Sequence, residues 1–248
     1  MKLVQLDHRS DAYMDLITRS HQTSLFVLPE WIDLYKDDLE LLGVEDRGRL
    51  VAGCVAQLTS KPLAFVPYQG MLLTRREHPA AARMMLEELE KLETATVINA
   101  PSLVDVRPFF WRLHEGGGAW FGHIQYTFFT SENTRPFSDM PTSSDPFIIA
   151  EAWKIFEDQL PEHPLWLEQM DSVRSYANHE GGCVMWGTDL QDRGYLIASC
   201  GNAEGLAWKL AQRHPSTDLY GCNSPAMNKR KRVFGGTLRT YYRMSHVK

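Results

Sequence analysis

Cysteine is scarce in this chain and carries no pattern. Cys54, Cys183, Cys200 and Cys222 are the four thiols in 248 residues, and none stands in a CxxC pair or at a Cys/His ligand spacing. A disulfide framework and a thiolate zinc site are thereby excluded, which leaves reduced, partly buried thiols. The nine histidines form no HExxH and no triad-like spacing, so metalloenzyme and hydrolase chemistry has no support and no metal site is expected. Long apolar runs are missing as well. No stretch approaches the roughly 18 residues that span a bilayer, and the start MKLVQLDHRSD lacks the apolar centre of a secretory signal. A cytoplasmic protein without a membrane span is expected.

Acidic residues are absent from one end only. Asp218 is the last of them, while the segment from Asn223 to Lys248 carries seven Lys and Arg, so the net charge of −5 hides a body with 19 basic against 31 acidic residues. A body so acidic argues against DNA binding and tRNA wrapping, because both need a broad positive face. One small anion site near the C-terminal end is compatible with it, and so is a merely solvated basic run.

With 44% hydrophobic residues the chain can fill two cores of ordinary domain size. In order, the patterns predict a strand at Leu3 to Leu6, a helix from Ser10 to Ser20 with Tyr13, Leu16 and Ile17 inward, and a helix opened by Pro29. Two strands follow, Leu39 to Glu45 and Leu50 to Thr59, joined by the hairpin signal Asp46-Arg47-Gly48-Arg49, with a third at Leu63 to Val66. Pro79 to Thr94 is the clearest helix, with Ala82, Met85, Leu86, Leu89 and Leu92 on one face. A strand at Thr96 to Asn99, a helix at Pro108 to His114 and a strand at Trp120 to Thr130 complete a first domain of residues 1–130.

Residues 131–146, rich in Ser, Thr, Pro and Asp, read as a linker to a reduced second domain of residues 147–248. Helices are expected at Pro146 to Leu160 and Pro164 to Met170. A hairpin of Val173 to Asn178 with Cys183 to Thr188, a strand at Tyr195 to Ser199 and a helix at Ala203 to Arg213 come next. The closing stretch is DLYGCNSPAMNKRKRVFGGTLRTYYRM, Asp218 to Met244. It holds a strand end, a turn, a short basic helix that Pro225 opens and Gly235-Gly236 stop, and a final strand from Thr237 to Met244.

That order of Asp, Gly, Pro, basic helix, Phe-Gly-Gly and Tyr-Tyr resembles the C-terminal signature of the tandem GNAT-like acyltransferases related to the Fem-type aminoacyl transferases. Asp105-Val106-Arg107-Pro108-Phe109-Phe110-Trp111 with Tyr126-Thr127-Phe128 is similar to segments near the end of that family's first domain, and FVLPEWIDL and PYQGML to two earlier ones. The resemblance implies an α/β (α+β) fold of two tandem GNAT-like units, each a mixed, mostly antiparallel sheet flanked by helices, the second reduced. It also implies transfer of an acyl or aminoacyl group to a small amine or sugar-amine acceptor. Acyl-CoA is the expected cosubstrate, and no tightly bound cofactor is implied. The basic segment usual between such domains is missing after Thr130, and Tyr220 and Cys222 stand where the family often has an acidic residue and a Ser.

Acyl transfer to an amine needs a base for the ammonium, donors for the carbonyl oxygen and an acid for the leaving thiolate. Asp218, Tyr220 and Cys222, at a strand end, are the catalytic candidates. Tyr68, Gln69, Asp105, Arg107, Tyr126 and Asn223 are candidates for binding the acceptor. Asp105 and Arg107 can equally form an ion pair that fixes their own loop, and Asp218 can serve as a cap. For the cosubstrate phosphates the candidates are Gly201 and Asn202, at a strand-to-helix turn, and Lys229 and Arg230 in the basic run. That turn lacks the Q/R-x-x-G-x-G/A spacing and carries Glu204, so a plain connection is the competing reading. A catalytically silent module that only binds a ligand or partner is the alternative function.

Overall fold

In this computed structural model the described residues are 1–59, 63, 66–75, 77–103, 105–130, 154, 182–201, 211, 214, 216–219, 221 and 223–248, without the side chains of 182–185, 198–201, 227, 230 and 233. They gather into two compact units, Met1–Gln125 with Thr240–Lys248, and Tyr126–Arg239. The expected linker 131–146, all but Lys154 of the helices expected between 146 and 170, the strand expected at 173–178 and all but Ala211 of the helix expected at 203–213 lie outside the described residues.

In the first unit a sheet is built from β1 (Lys2–Gln5), β2 (Leu39–Asp46), β3 (Arg49–Gln57), β4 (Gly70–Leu73), β5 (Thr94–Ile98), the first half of β6 (Phe121–Thr130) and the end of β10 (Gly236–Val247). The order is β1-β2-β3-β5-β10-β6, with β4 also on β3. β2 and β3 form the expected hairpin. Arg47 and Gly48 both take positive φ, 52° and 78°, which suits the twist of a two-residue turn. Two helices cover the sheet from opposite sides. α1 (Asp11–Arg19) starts where the Ser10 hydroxyl accepts from Tyr13 N, and it seats Leu16 over Gly53. α3 (Pro79–Leu89) lays Ala82, Met85, Leu86 and Leu89 on Cys54, Met71, Ala95 and Val97, all buried. Each such aliphatic side chain removed from water stabilises by about 1.5–3 kcal/mol. The short α2 (Pro29–Asp33), opened by a proline as expected, and α4 (Arg107–His114) complete this unit.

The strand that continues the meander is Gly70–Leu73, antiparallel to β3, whereas Leu63 and Val66 at the ends of the expected third strand are not in one. Its residues are buried throughout, so no alternation betrays it. Gly70, at φ 96°, marks a bend that reads from sequence as a loop; a Cβ there meets Asn99 Oδ1 at 2.9 Å. The third helix is also shorter than its periodicity suggests, stopping at Leu89.

In the second unit β7 (Gly182–Thr188) pairs antiparallel with β8 (Gly194–Gly201), β8 pairs parallel with β9 (Thr217–Asp218), and β9 pairs with the second half of β6 at Phe129. The basic helix α5 (Pro225–Lys231) follows, and Gly235 at φ 65° ends the turn after it. β10 then runs longer than expected. Its last residues pair with β5, Arg243 opposite Ile98 and Val247 opposite Thr94, inside the first unit. The architecture is thus of the mixed α/β kind, with mostly antiparallel sheets flanked by helices.

Candidate active site

In the second unit the end of β9 collects three of the residues expected at the site. Asp218 is buried at 1% exposure, and the hydroxyl of Thr127 on β6 donates to its Oδ1. The neighbouring strands are locked there, since Leu219 N donates to Phe128 O at 2.8 Å and Thr217 N to Thr130 Oγ1 at 3.0 Å. Beyond Asp218 the chain leaves the sheet. Gly221, at φ 33°, lets it turn, and Asn223 comes back to β6, where its Oδ1 accepts from Tyr126 N at 2.7 Å. The strand end, the turn and the first turn of α5 are therefore strapped to Tyr126-Thr127-Phe128 by side-chain and backbone bonds together.

A further residue joins this group from α5. Lys231 Nζ donates to Leu219 O at 2.6 Å and also to Gly221 O. Buried Phe234, just beyond, anchors the end of the helix. Lys231 was invisible as a site residue in the sequence because it stands inside a run of four cations that periodicity alone distributes around a helix. Thr127 had a signal, its place in the Tyr126-Thr127-Phe128 segment.

The other expected residues divide as follows. Tyr220, Cys222 and Asn202 lie outside the described residues. Gly201 ends β8, paired with Gly182, and Lys229 is exposed on α5, where the side chain of Arg230 is not described. In the first unit Tyr68 and Gln69 are buried, at 1% and 2% exposure. Tyr68 packs edge-on against Phe26 and Tyr241, at 5.5 and 5.3 Å between ring centres, and Gln69 Nε2 donates to Phe26 O at 3.0 Å. Asp105 and Arg107 form the bidentate ion pair that fixes their loop, Nε to Oδ1 2.8 Å and Nη2 to Oδ2 3.0 Å. The Arg107 hydrogen bonds outweigh burial and hold the Asp105 carboxyl below its ordinary range.

The start of α3 is the place in this unit where a helix N-terminus could hold an anion. It faces Glu77 and Asp105, and the cavity there, lined also by His78, Leu103 and Phe109, measures about 10 Å³, which is room for one water and not for a phosphate. At the other end of α3 lies an ion network centred on buried Arg112. Arg112 donates to Glu90 through Nε at 2.9 Å and Nη2 at 2.7 Å, and to Glu87 and Glu115, while Trp120 Nε1 adds a bond to Glu90 at 3.0 Å. Burial pushes the Glu90 carboxyl up, but the bonds from Arg112, Gly118 N and Trp120 bring it below the ordinary value. Among the described residues no group of His, Cys, Asp and Glu could hold a metal ion, and no helix is long and apolar enough to cross a membrane.

Compared with known proteins, the sequence matches no family model and no curated protein. Solved structures do match. FemX superposes with a TM-score of 0.54 at 9% identity, over 98% of this chain and 97% of its own. The chain shares its fold with FemX. The second case is a GNAT-family acetyltransferase from Colwellia psychrerythraea, at a TM-score of 0.52 and 13% identity over the whole of both chains. At such identities the likeness is one of fold.

Proposed function

We propose that this protein is an N-acyltransferase that moves an acyl group from acyl-CoA to a small amine or sugar amine, with Asp218 at its centre. The observation that carries the reading is the buried Asp218 carboxylate at the end of β9, held by the Thr127 hydroxyl and followed by a turn strapped to β6. A carboxylate so placed takes the proton from the acceptor ammonium. The amine nitrogen then attacks the acyl carbonyl, the C–S bond breaks, the thiolate takes a proton from Tyr220 or Cys222, and the second proton shed by the nitrogen restores that group, so that amide and free thiol are the products. The acidic body of the chain favours acyl-CoA over aminoacyl-tRNA as donor. The phosphates belong with the basic helix of the second unit rather than with the start of α3, where the cavity is small and its wall acidic.

A binding module without catalysis is the second reading, favoured by Tyr220 and Cys222 at positions where related enzymes often carry an acidic residue and a Ser. Melting in the presence of acetyl-CoA separates the two. Ligand at 100 times its Kd adds about 2.7 kcal/mol, a rise of roughly 5–10 °C for a chain of this size. No shift at millimolar acetyl-CoA removes the acyl-CoA reading and leaves the module.

A further inference from the structure

We infer that Lys231 is the positioning residue of the candidate site, an internal cation that fixes the turn after β9 by its main chain. The inference rests on the acyltransferase reading for its catalytic consequence, though not for its structural part. The ammonium reaches the carbonyls of Leu219 and Gly221, one on each side of residue 220, from a helix that begins only after Pro225. The turn at Gly221, φ 33°, follows the end of β9 at Asp218, and β6 holds its start through the bond from Leu219 N to Phe128 O. Two side chains add to that hold: Asn223, which accepts from β6, and Lys231, which donates from α5. Charge-assisted bonds to two carbonyls from one donor are the stronger kind, and they hold both ends of the same short arc. In sequence Tyr220 stands between Leu219 and Gly221, and Cys222 follows them. Lys231 therefore works through the main chain and needs no contact with substrate.

This assigns the basic run a divided role. Lys231 is turned inward to the turn, while Lys229 and Arg232 are exposed. An ammonium on a flexible stem converges on two neighbouring carbonyls as a point donor, whereas a guanidinium is planar and fixes the directions of its donors. Lys231→Arg is thus a charge-conserving change that keeps donors but misplaces them.

The test combines hydrogen exchange with turnover of acetyl-CoA. In Lys231→Met the amides of residues 219–223 are expected to exchange about tenfold faster or more, as for the loss of a charge-assisted bond, while the rest of the second unit keeps its protection. kcat for amine-dependent thiol release falls at an unchanged KM for acetyl-CoA, and Lys231→Arg recovers part of both effects. Gln191→Ala, exposed between β7 and β8 in the same unit, serves as the control and changes neither. Where Lys231→Met does not fold, Lys231→Gln, which retains a donor amide, goes through the same comparison. Unchanged exchange over 219–223 overturns the inference, and so does faster exchange spread through the whole unit, which marks a general loss of stability. Because exchange needs no substrate, a wild-type protein that does not turn over acetyl-CoA defeats the acyltransferase reading and leaves the clamp to be judged on exchange alone.

Discussion

The two units each bury charge, and they use it differently. In the first unit carboxylates meet a guanidinium: Arg112 is shared by Glu90, Glu87 and Glu115, and Trp120 completes the shell of Glu90. The second unit also has such a pair, buried Asp189 with Arg193, but around the candidate site the bonds run instead from a hydroxyl to a carboxylate, Thr127 to Asp218, and from an ammonium to main-chain carbonyls, Lys231 to Leu219 and Gly221. Ion pairing of the first kind stabilises elements against each other, here α3, α4 and the approach to β6. Bonds of the second kind hold a carboxylate and a turn in place, which is what chemistry at a strand end requires. One kind of pairing thus gives a strut in the first unit, and the other a candidate active site in the second.

The comparison is broken most severely by removing the hub of the strut. Arg112→Met strands Glu90 without its cation and is expected to cost about 3–5 kcal/mol of stability, read as a fall in denaturant midpoint, with the second unit's exchange pattern kept. Asp218→Asn is the counterpart in the other unit. It keeps an oxygen for Thr127 and so shifts the melting temperature little, but it removes the base and lowers turnover about 10²- to 10⁴-fold. Equal losses of stability in both variants erase the distinction.

Acid sharpens it further. The Glu90 carboxyl lies below its ordinary value in the fold, so its contribution is present above the unfolded value, near pH 4, and is lost as pH falls through the folded one. Melting temperature is expected to hold from neutral pH to about pH 5 and to drop below about pH 4, and to drop less steeply in Arg112→Met, where the depression is gone. The smallest effect belongs to Tyr68→Phe. The Tyr68 hydroxyl is buried and has no hydrogen-bond partner among the described residues, so its loss is expected to leave stability within about 1 kcal/mol, on the stabilising side. A clear destabilisation instead reveals that something polar sits against it.

Much of the first unit was legible because its signals are local. Ser10 caps, Pro29 and Pro79 open helices, and Arg47-Gly48 turns a hairpin, each through chemistry confined to a few residues. β4 was hidden for the opposite reason, being buried on every residue, preceded by Pro67 and begun by Gly70, which read as turn. The pairing of β10 with β5 joins Val247 to Thr94, and no periodicity can announce a partner so distant in sequence. At the candidate site, Asp218 was legible at a strand end and Asn223 and Tyr126 through the family-like segments that carry them, and their meeting follows from the β6–β9 pairing. Lys231 was not. Its role depends on which way one side chain of a short helix turns, and four adjacent cations are equivalent to any sequence pattern.

The account is tested most directly by following release of free thiol from acetyl-CoA with glucosamine or simple alkyl amines as acceptor, in wild type and in Asp218→Asn. The prediction is release that depends on the amine and is lost in the variant, which still melts near the wild-type temperature. Release that persists in Asp218→Asn, or an absence of release from wild type at any amine concentration, contradicts the placing of acyl transfer at Asp218.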